Sequence, residues 1–160
     1  MERQKEDTEV QKARPHVQDK SAAARYNLAR IPTKTPMKTC IIAEHDPWEI
    51  RLLRIYVERL GFRLVHAFDG QDTLRLACAE QPDVIVLDAD LPGTPTGADL
   101  LAVLRMDRRT RAIPVIWFSW LDGATAAAET ASPVSYLKKP ATYETFETAL
   151  AQAGVRAQFE

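Results

Sequence analysis

Asp88 closes the run Val84-Ile85-Val86-Leu87, and Asp90, Pro92 and Gly93 follow it at once. An unbroken apolar run rich in β-branched residues suits a strand buried on both faces of a parallel sheet. An acid at such a strand's carboxyl end stands where loops converge to form a site. Pro92 and Gly93 then turn the chain away, leaving Asp88 and Asp90 at the mouth. Taken alone, this run fits a working carboxylate and a loop-capping one equally well. Other strand-like runs end in the same manner. Glu44-His45-Asp46 follow Cys40-Ile41-Ile42-Ala43, Ser119 closes 113–119, and Lys139-Pro140 follow 134–137. Acids, a hydroxyl and a lysine on one edge of a parallel sheet describe a site for a phosphoryl group and a divalent cation. A carboxylate serves as the positioned nucleophile, while a metal, an ammonium and a hydroxyl donor neutralise charge on the phosphoryl oxygens.

The elements that must carry these residues alternate strictly from Thr39 onward, which predicts an α/β fold: a doubly wound, five-stranded parallel sheet with five helices. The strands are read at 40–43, 62–68, 84–88, 113–119 and 134–137, and the helices at 47–60, 71–80, 97–108, 123–130 and 142–153. Asp46, Pro47 and Glu49 form a helix start, with Asp46 as cap and Glu49 reaching back as in a capping box. In the first helix Trp48, Leu52, Ile55, Tyr56 and Leu60 make the expected inner stripe. In the second Leu74, Ala77 and Cys78 face inward, the third presents Leu100, Leu101, Val103 and Leu104, and the last buries Phe146, Ala149 and Leu150.

The 160 residues suit one domain with a tail, here placed at 39–155 and 1–38. The formal net charge of −1 conceals an asymmetry, for residues 1–38 hold nine Lys/Arg against five Asp/Glu. The remainder is acidic, which argues against nucleic-acid binding by the domain. Few large apolar residues, mixed charge and Pro15, Pro32 and Pro36 predict a disordered tail, apart from a marginal helix over 20–30. No apolar run approaches the ~20 residues that span a bilayer, and the first residues lack the apolar core of a signal peptide, so the expected compartment is the cytoplasm. Cys40 and Cys78 are widely spaced in apolar surroundings and read as small core residues.

From Thr39 to Gln152 the sequence resembles the receiver domain of two-component response regulators, whose fold is flavodoxin-like. The acidic pair after the first strand falls on Glu44 and His45, the phospho-acceptor with its following proline-glycine on Asp88, Pro92 and Gly93, and the Lys-Pro pair on Lys139-Pro140. The switch hydroxyl falls on Ser119 and the aromatic switch on Tyr136. The resemblance implies a phosphoryl group received on Asp88 from a histidine kinase or phosphotransfer protein, with magnesium held by Glu44, His45, Asp88 and the carbonyl of Asp90. It implies that Lys139 and Ser119 meet the phosphoryl oxygens and that Tyr136 turns inward. The face formed by the fourth helix, fifth strand and fifth helix is then remodelled for a protein target. It also implies a cis peptide before Pro140.

The departures carry expectations of their own. His45 replaces the aspartate that binds magnesium directly, so magnesium affinity falls and another divalent metal becomes possible. Trp120 stands where a small residue is typical, as a cover for the pocket or an outward-packed loop residue. The chain ends soon after the fifth helix, leading to a stand-alone regulator without an enzymatic or DNA-binding output. The competing reading is a receiver-like interaction module that works without phosphorylation because of His45 and Trp120. Asp88-x-Asp90 also resembles the nucleophile motif of haloacid dehalogenase phosphatases, but the further acidic pair of that family is poorly supplied around Tyr143–Glu147.

Overall fold

The computed structural model describes residues 36–130 and 134–159. The expectations for 1–35, the helix over 20–30 included, lie outside the described residues. Ten elements alternate along the chain: β1 (Thr39–Ala43), α1 (Pro47–Arg59), β2 (Arg63–Ala67), α2 (Gly70–Glu80), β3 (Val84–Asp88), α3 (Gly97–Met106), β4 (Val115–Ser119), α4 (Gly123–Glu129), β5 (Ser135–Lys138) and α5 (Tyr143–Gln152). The five strands are all parallel, in the order β2-β1-β3-β4-β5. Every residue of β1, β3 and β4 is buried, whereas β2, at one edge, buries only Ala67.

Successive side chains of a strand point to opposite faces, and the sheet accordingly divides its apolar residues between two cores. Cys40, Ile42, Val84, Val86, Ile116 and Phe118 pack against α1 and α5 through Leu53, Val57 and Phe146. Ile41, Ile85, Leu87 and Trp117 pack against α2, α3 and α4 on the other face. This alternation also decides where the strand ends point. Ile42 and Val86 are register partners on the α1 side, so Glu44 and Asp88, two residues further along each strand, return to that side.

The phase of α1 differs from expectation. Trp48 and Ile55 are exposed, while Leu53 and Val57 are buried. The helix carries two apolar stripes, and the sheet buries the one containing Leu53 and Val57. Tyr56 packs edge-on against Tyr143 and also contacts Phe146. In α3 Val103 is largely exposed, and in α2 Cys78 is only half-buried, with Thr73 and Leu76 taking inward positions. Cys40 is fully buried as a small core residue, and burial drives its thiol pKa far above the ordinary range.

Pairing extends beyond 39–155 at both edges. The backbone N–H of Lys38 donates to Gln158 Oε1, and Gln158 Nε2 donates to the carbonyl of Pro36.

The loop between β3 and α3 is held close beneath the first turn of α3. A Cβ on Gly97 would stand 2.6 Å from the carbonyl oxygen of Ala89 and 2.9 Å from that of Asp88. Backbone cannot yield as a flexible side-chain tip does. Gly97→Ala is therefore expected to lower stability by about 1–3 kcal/mol, the usual penalty for overpacking, measured as a reduced urea midpoint. A change within about 0.5 kcal/mol would show that the loop is free to give way.

Candidate functional site

Glu44, Asp88 and Lys139, each less than 5% exposed, meet at the carboxyl end of the sheet. Lys139 Nζ donates to Glu44 Oε2 at 2.8 Å and to Asp88 Oδ1 at 2.9 Å. Burial opposes the lysine's charge, but the hydrogen bonds and charges of Glu44 and Asp88 outweigh it and hold its pKa above the ordinary value. The ammonium also lies 4.6 Å from the centroid of the Phe118 ring and 6.0 Å from that of Trp120. The peptide before Pro140 is cis, as the resemblance implied, and so is the one before Pro95.

The other carboxylate oxygens are distinct. Glu44 Oε1 accepts the backbone N–H groups of His45 and Asp46 at 2.8 and 2.9 Å. Asp88 Oδ1 accepts the N–H of Asp90 at 3.1 Å in addition to the lysine. Among the described residues Asp88 Oδ2 has only His45 as a partner, with Nδ1 2.9 Å away. The same Nδ1 is 3.3 Å from Glu44 Oε1, and the His45 side chain is 47% exposed. An imidazole thus roofs the oxygen of Asp88 that neither the lysine nor the backbone engages.

The first turn of α1 supports this corner differently from the expected capping box. Asp46 accepts from the N–H groups of Trp48 and Glu49 as predicted, and these bonds lower its carboxyl pKa. Its own N–H goes to Glu44, so Glu49 has no such donor to reach back to. Glu49 Oε2 is instead buried without a hydrogen-bond partner among the described residues. Burial raises the Glu49 carboxyl pKa, with Lys139 opposing the rise and the carboxylates of Glu44, Asp46 and Asp88 adding to it. His66, which the sequence reading passed over, bonds through Nε2 to the carbonyl oxygen of Glu44 at 2.9 Å. Its place late in β2, beside Ile42, is the only signal that would have drawn attention to it.

The remaining candidates surround this cluster. Ser119 is buried, and its Oγ accepts the N–H of Leu121 at 3.1 Å. Tyr136 is half-buried, and its hydroxyl shares a hydrogen bond of 2.9 Å with Thr130 Oγ1. Pro92 and Gly93 are exposed in the turn after β3, with Gly93 at a φ of +93° that suits glycine. Asp90 is exposed, and its side chain falls outside the group of Glu44, His45 and Asp88 whose donor atoms lie within 4.8 Å of one another. Trp120 is 58% exposed and lines, with Asp90, Thr96, Trp117 and Ser119, a cleft of about 410 Å³ beside the cluster. It borders that opening without sealing it.

This donor set suits magnesium poorly. Magnesium favours hard oxygen ligands in a near-octahedral shell and dehydrates reluctantly, whereas one of the three clustered groups is an imidazole. The arrangement otherwise offers a buried carboxylate, a paired ammonium and a hydroxyl within one end of the sheet.

Residues 40–151 match the family described as the response regulator receiver domain. The chain is 32% identical over 111 residues to PilH of Pseudomonas aeruginosa, a match covering 68% of this chain and 91% of that protein. It is 32% identical over 79 residues to the polar-differentiation response regulator DivK of Brucella ovis, covering 49% of this chain and 63% of that one. The receiver domain of sensor histidine kinase PA1611 from Pseudomonas aeruginosa PAO1, with a magnesium ion coordinated in its active site cleft, is similar in fold. Its TM-score is 0.64 at 22% identity, over 74% of this chain and 98% of that one. No helix among the described residues is long and apolar enough to cross a membrane.

Proposed function

Since the chain belongs to the response regulator receiver family, we propose that it accepts a phosphoryl group on Asp88 from a histidine kinase or phosphotransfer protein and signals by binding a protein target. The observation that supports this most is the division of labour at Asp88. Lys139 and the Asp90 amide hold Oδ1, while Oδ2 faces only the half-exposed imidazole of His45. With His45 swung aside and no ion on Oδ2, that oxygen attacks phosphorus and the phosphorus–nitrogen bond to the donor histidine breaks. The donor ring, protonated on its other nitrogen, leaves as neutral imidazole with the electron pair. An acyl phosphate remains on Asp88. Lys139 stays beside the new negative charge, and the Ser119 hydroxyl exchanges the Leu121 amide for a phosphoryl oxygen.

Output then runs through Tyr136 to the face of α4, β5 and α5, a two-state element biased by local charge. In this reading residues 39–155, with the edge pairing of Pro36, Lys38 and Gln158, form a cytoplasmic receiver preceded by a tail, and the protein signals rather than turning over substrate. Magnesium binding is weakened by His45, and another divalent metal takes its place.

The test is the intact mass of the full chain after incubation with acetyl phosphate or a phosphorylated phosphotransfer domain, beside Asp88→Asn. A phosphoryl adduct on the wild type alone is expected; one that survives Asp88→Asn overturns the assignment. Asp88 has no exposed surface beneath His45, and this favours a second reading, the module that works without phosphorylation. Absence of an adduct with both donors would select it.

A further inference from the structure

We propose that the cleft of Glu44, His45 and Asp88 selects a borderline transition-metal dication over magnesium, with His45 Nδ1 as a direct ligand. The inference rests on reading this cleft as the functional site and concerns which ion it takes.

Three observations converge on it. The first is spacing. Metal bonds of about 2.1 Å place neighbouring ligand atoms about 3.0 Å apart around an octahedral ion and about 3.4 Å apart around a tetrahedral one. His45 Nδ1 lies 2.9 Å from Asp88 Oδ2 and 3.3 Å from Glu44 Oε1, and all three residues offer donor atoms within 4.8 Å of one another, within reach of one ion once side chains rotate. The second is which atoms are spoken for. Lys139 takes Glu44 Oε2 and Asp88 Oδ1; the imidazole faces Asp88 Oδ2, which has no other partner among the described residues, and Glu44 Oε1, which also accepts the backbone N–H groups of His45 and Asp46. A single lysine also leaves this pair of carboxylates one charge short of neutral. The third is access. His45 is 47% exposed above two fully buried acids, so an ion reaches the cleft from solvent without unfolding it.

Ligand chemistry then sets the preference. An imidazole nitrogen adds little for magnesium but much for cobalt, nickel or zinc, which nitrogen-containing sites hold well.

The experiment is calorimetric titration of the unphosphorylated full chain with cobalt(II) and with magnesium, in the wild type, His45→Asp and His45→Ala. Transition metals outbind magnesium at many sites, so the informative quantity is the ratio of the two affinities and how the variants move it. His45→Asp is expected to lower the cobalt-to-magnesium ratio roughly 100-fold, tightening magnesium and loosening cobalt. His45→Ala is expected to loosen cobalt roughly 10-fold or more. Proton NMR on the wild type provides a readout independent of variant folding, since cobalt should shift the His45 ring signals before those of His66. An unchanged ratio in His45→Asp, cobalt binding that tightens in His45→Ala because the imidazole merely plugs the cleft, or His45 signals unmoved by cobalt would each overturn the proposal. Phosphorylation is scored separately by mass, so a cleft that selects cobalt yet forms no adduct refutes the acceptor reading alone. An adduct without metal selectivity refutes this one alone.

Discussion

Lys139→Met is expected to lower stability by about 3 kcal/mol at neutral pH, seen as a lower urea midpoint. The substitution retains the length and apolar stem of the side chain and removes the ammonium between Glu44 Oε2 and Asp88 Oδ1. Two buried carboxylates then face each other without their shared counter-ion. The effect sits at the lower end of the range for broken buried pairs because both acids retain backbone donors, from His45 and Asp46 on one side and Asp90 on the other. Adding Asp88→Asn removes one of the opposed charges and should restore most of the loss, as a double-mutant cycle would show.

The pH dependence has a definite sign. The pKa of Lys139 is raised in the fold from an ordinary value of 10.5. Its contribution is fully present below pH 10.5 and is lost as pH rises through the higher folded value. The gap between wild type and Lys139→Met should therefore hold steady from neutral pH to about 10 and close above it. A gap below about 1 kcal/mol at neutral pH would show that the two carboxylates do not depend on the Lys139 ammonium as their counter-ion.

Much of this site was legible before any coordinates because parallel strands align their ends. The run into Asp88 announced a central strand, and the similar runs into Glu44, Ser119 and Lys139 required those residues to share one edge. The two-residue period of a strand explains why Glu44 and Asp88 point to the same face. What stayed hidden depended on choices between near-equivalent local patterns. The first helix has two apolar stripes, and only the sheet beneath it decides that Leu53 and Val57 go in while Trp48 and Ile55 remain outside. The Asp46 amide had two candidate acceptors, Glu44 and Glu49, at short range. Glu44 takes it, leaving the buried oxygen of Glu49 without a partner among the described residues. The aim of His45 at the oxygen of Asp88 left free by Lys139 is a side-chain torsion, on which spacing is silent. His66 likewise reaches Glu44 across strands rather than along the sequence.

The largest stability loss is expected at Trp117, where substitutions to alanine and to phenylalanine should part company. Trp117 is 1% exposed and packs in the core beneath α3 and α4 with Leu87, Leu100 and Leu104. Trp117→Ala removes the whole ring from this layer and should cost about 3–5 kcal/mol, since the surrounding helices close only part of the cavity. The indole also brings a burden, for its Nε1 is buried with no hydrogen-bond partner among the described residues. An orphaned buried donor costs about 1–3 kcal/mol, so Trp117→Phe exchanges the lost ring contacts for relief of that penalty and should fall within about 1 kcal/mol of wild type. The contrast bears on the proposed tyrosine switch because Trp117 is the register partner of Tyr136. An inward turn of that tyrosine must break its bond to Thr130 and find room beside the indole. The alanine variant supplies the room, so in the folded fraction the Tyr136 ring should reorient more readily than in wild type, read from fluorotyrosine NMR. Equal losses for the two variants would show that Nε1 donates to an acceptor in solution and that the indole is held there by polarity as well as by packing.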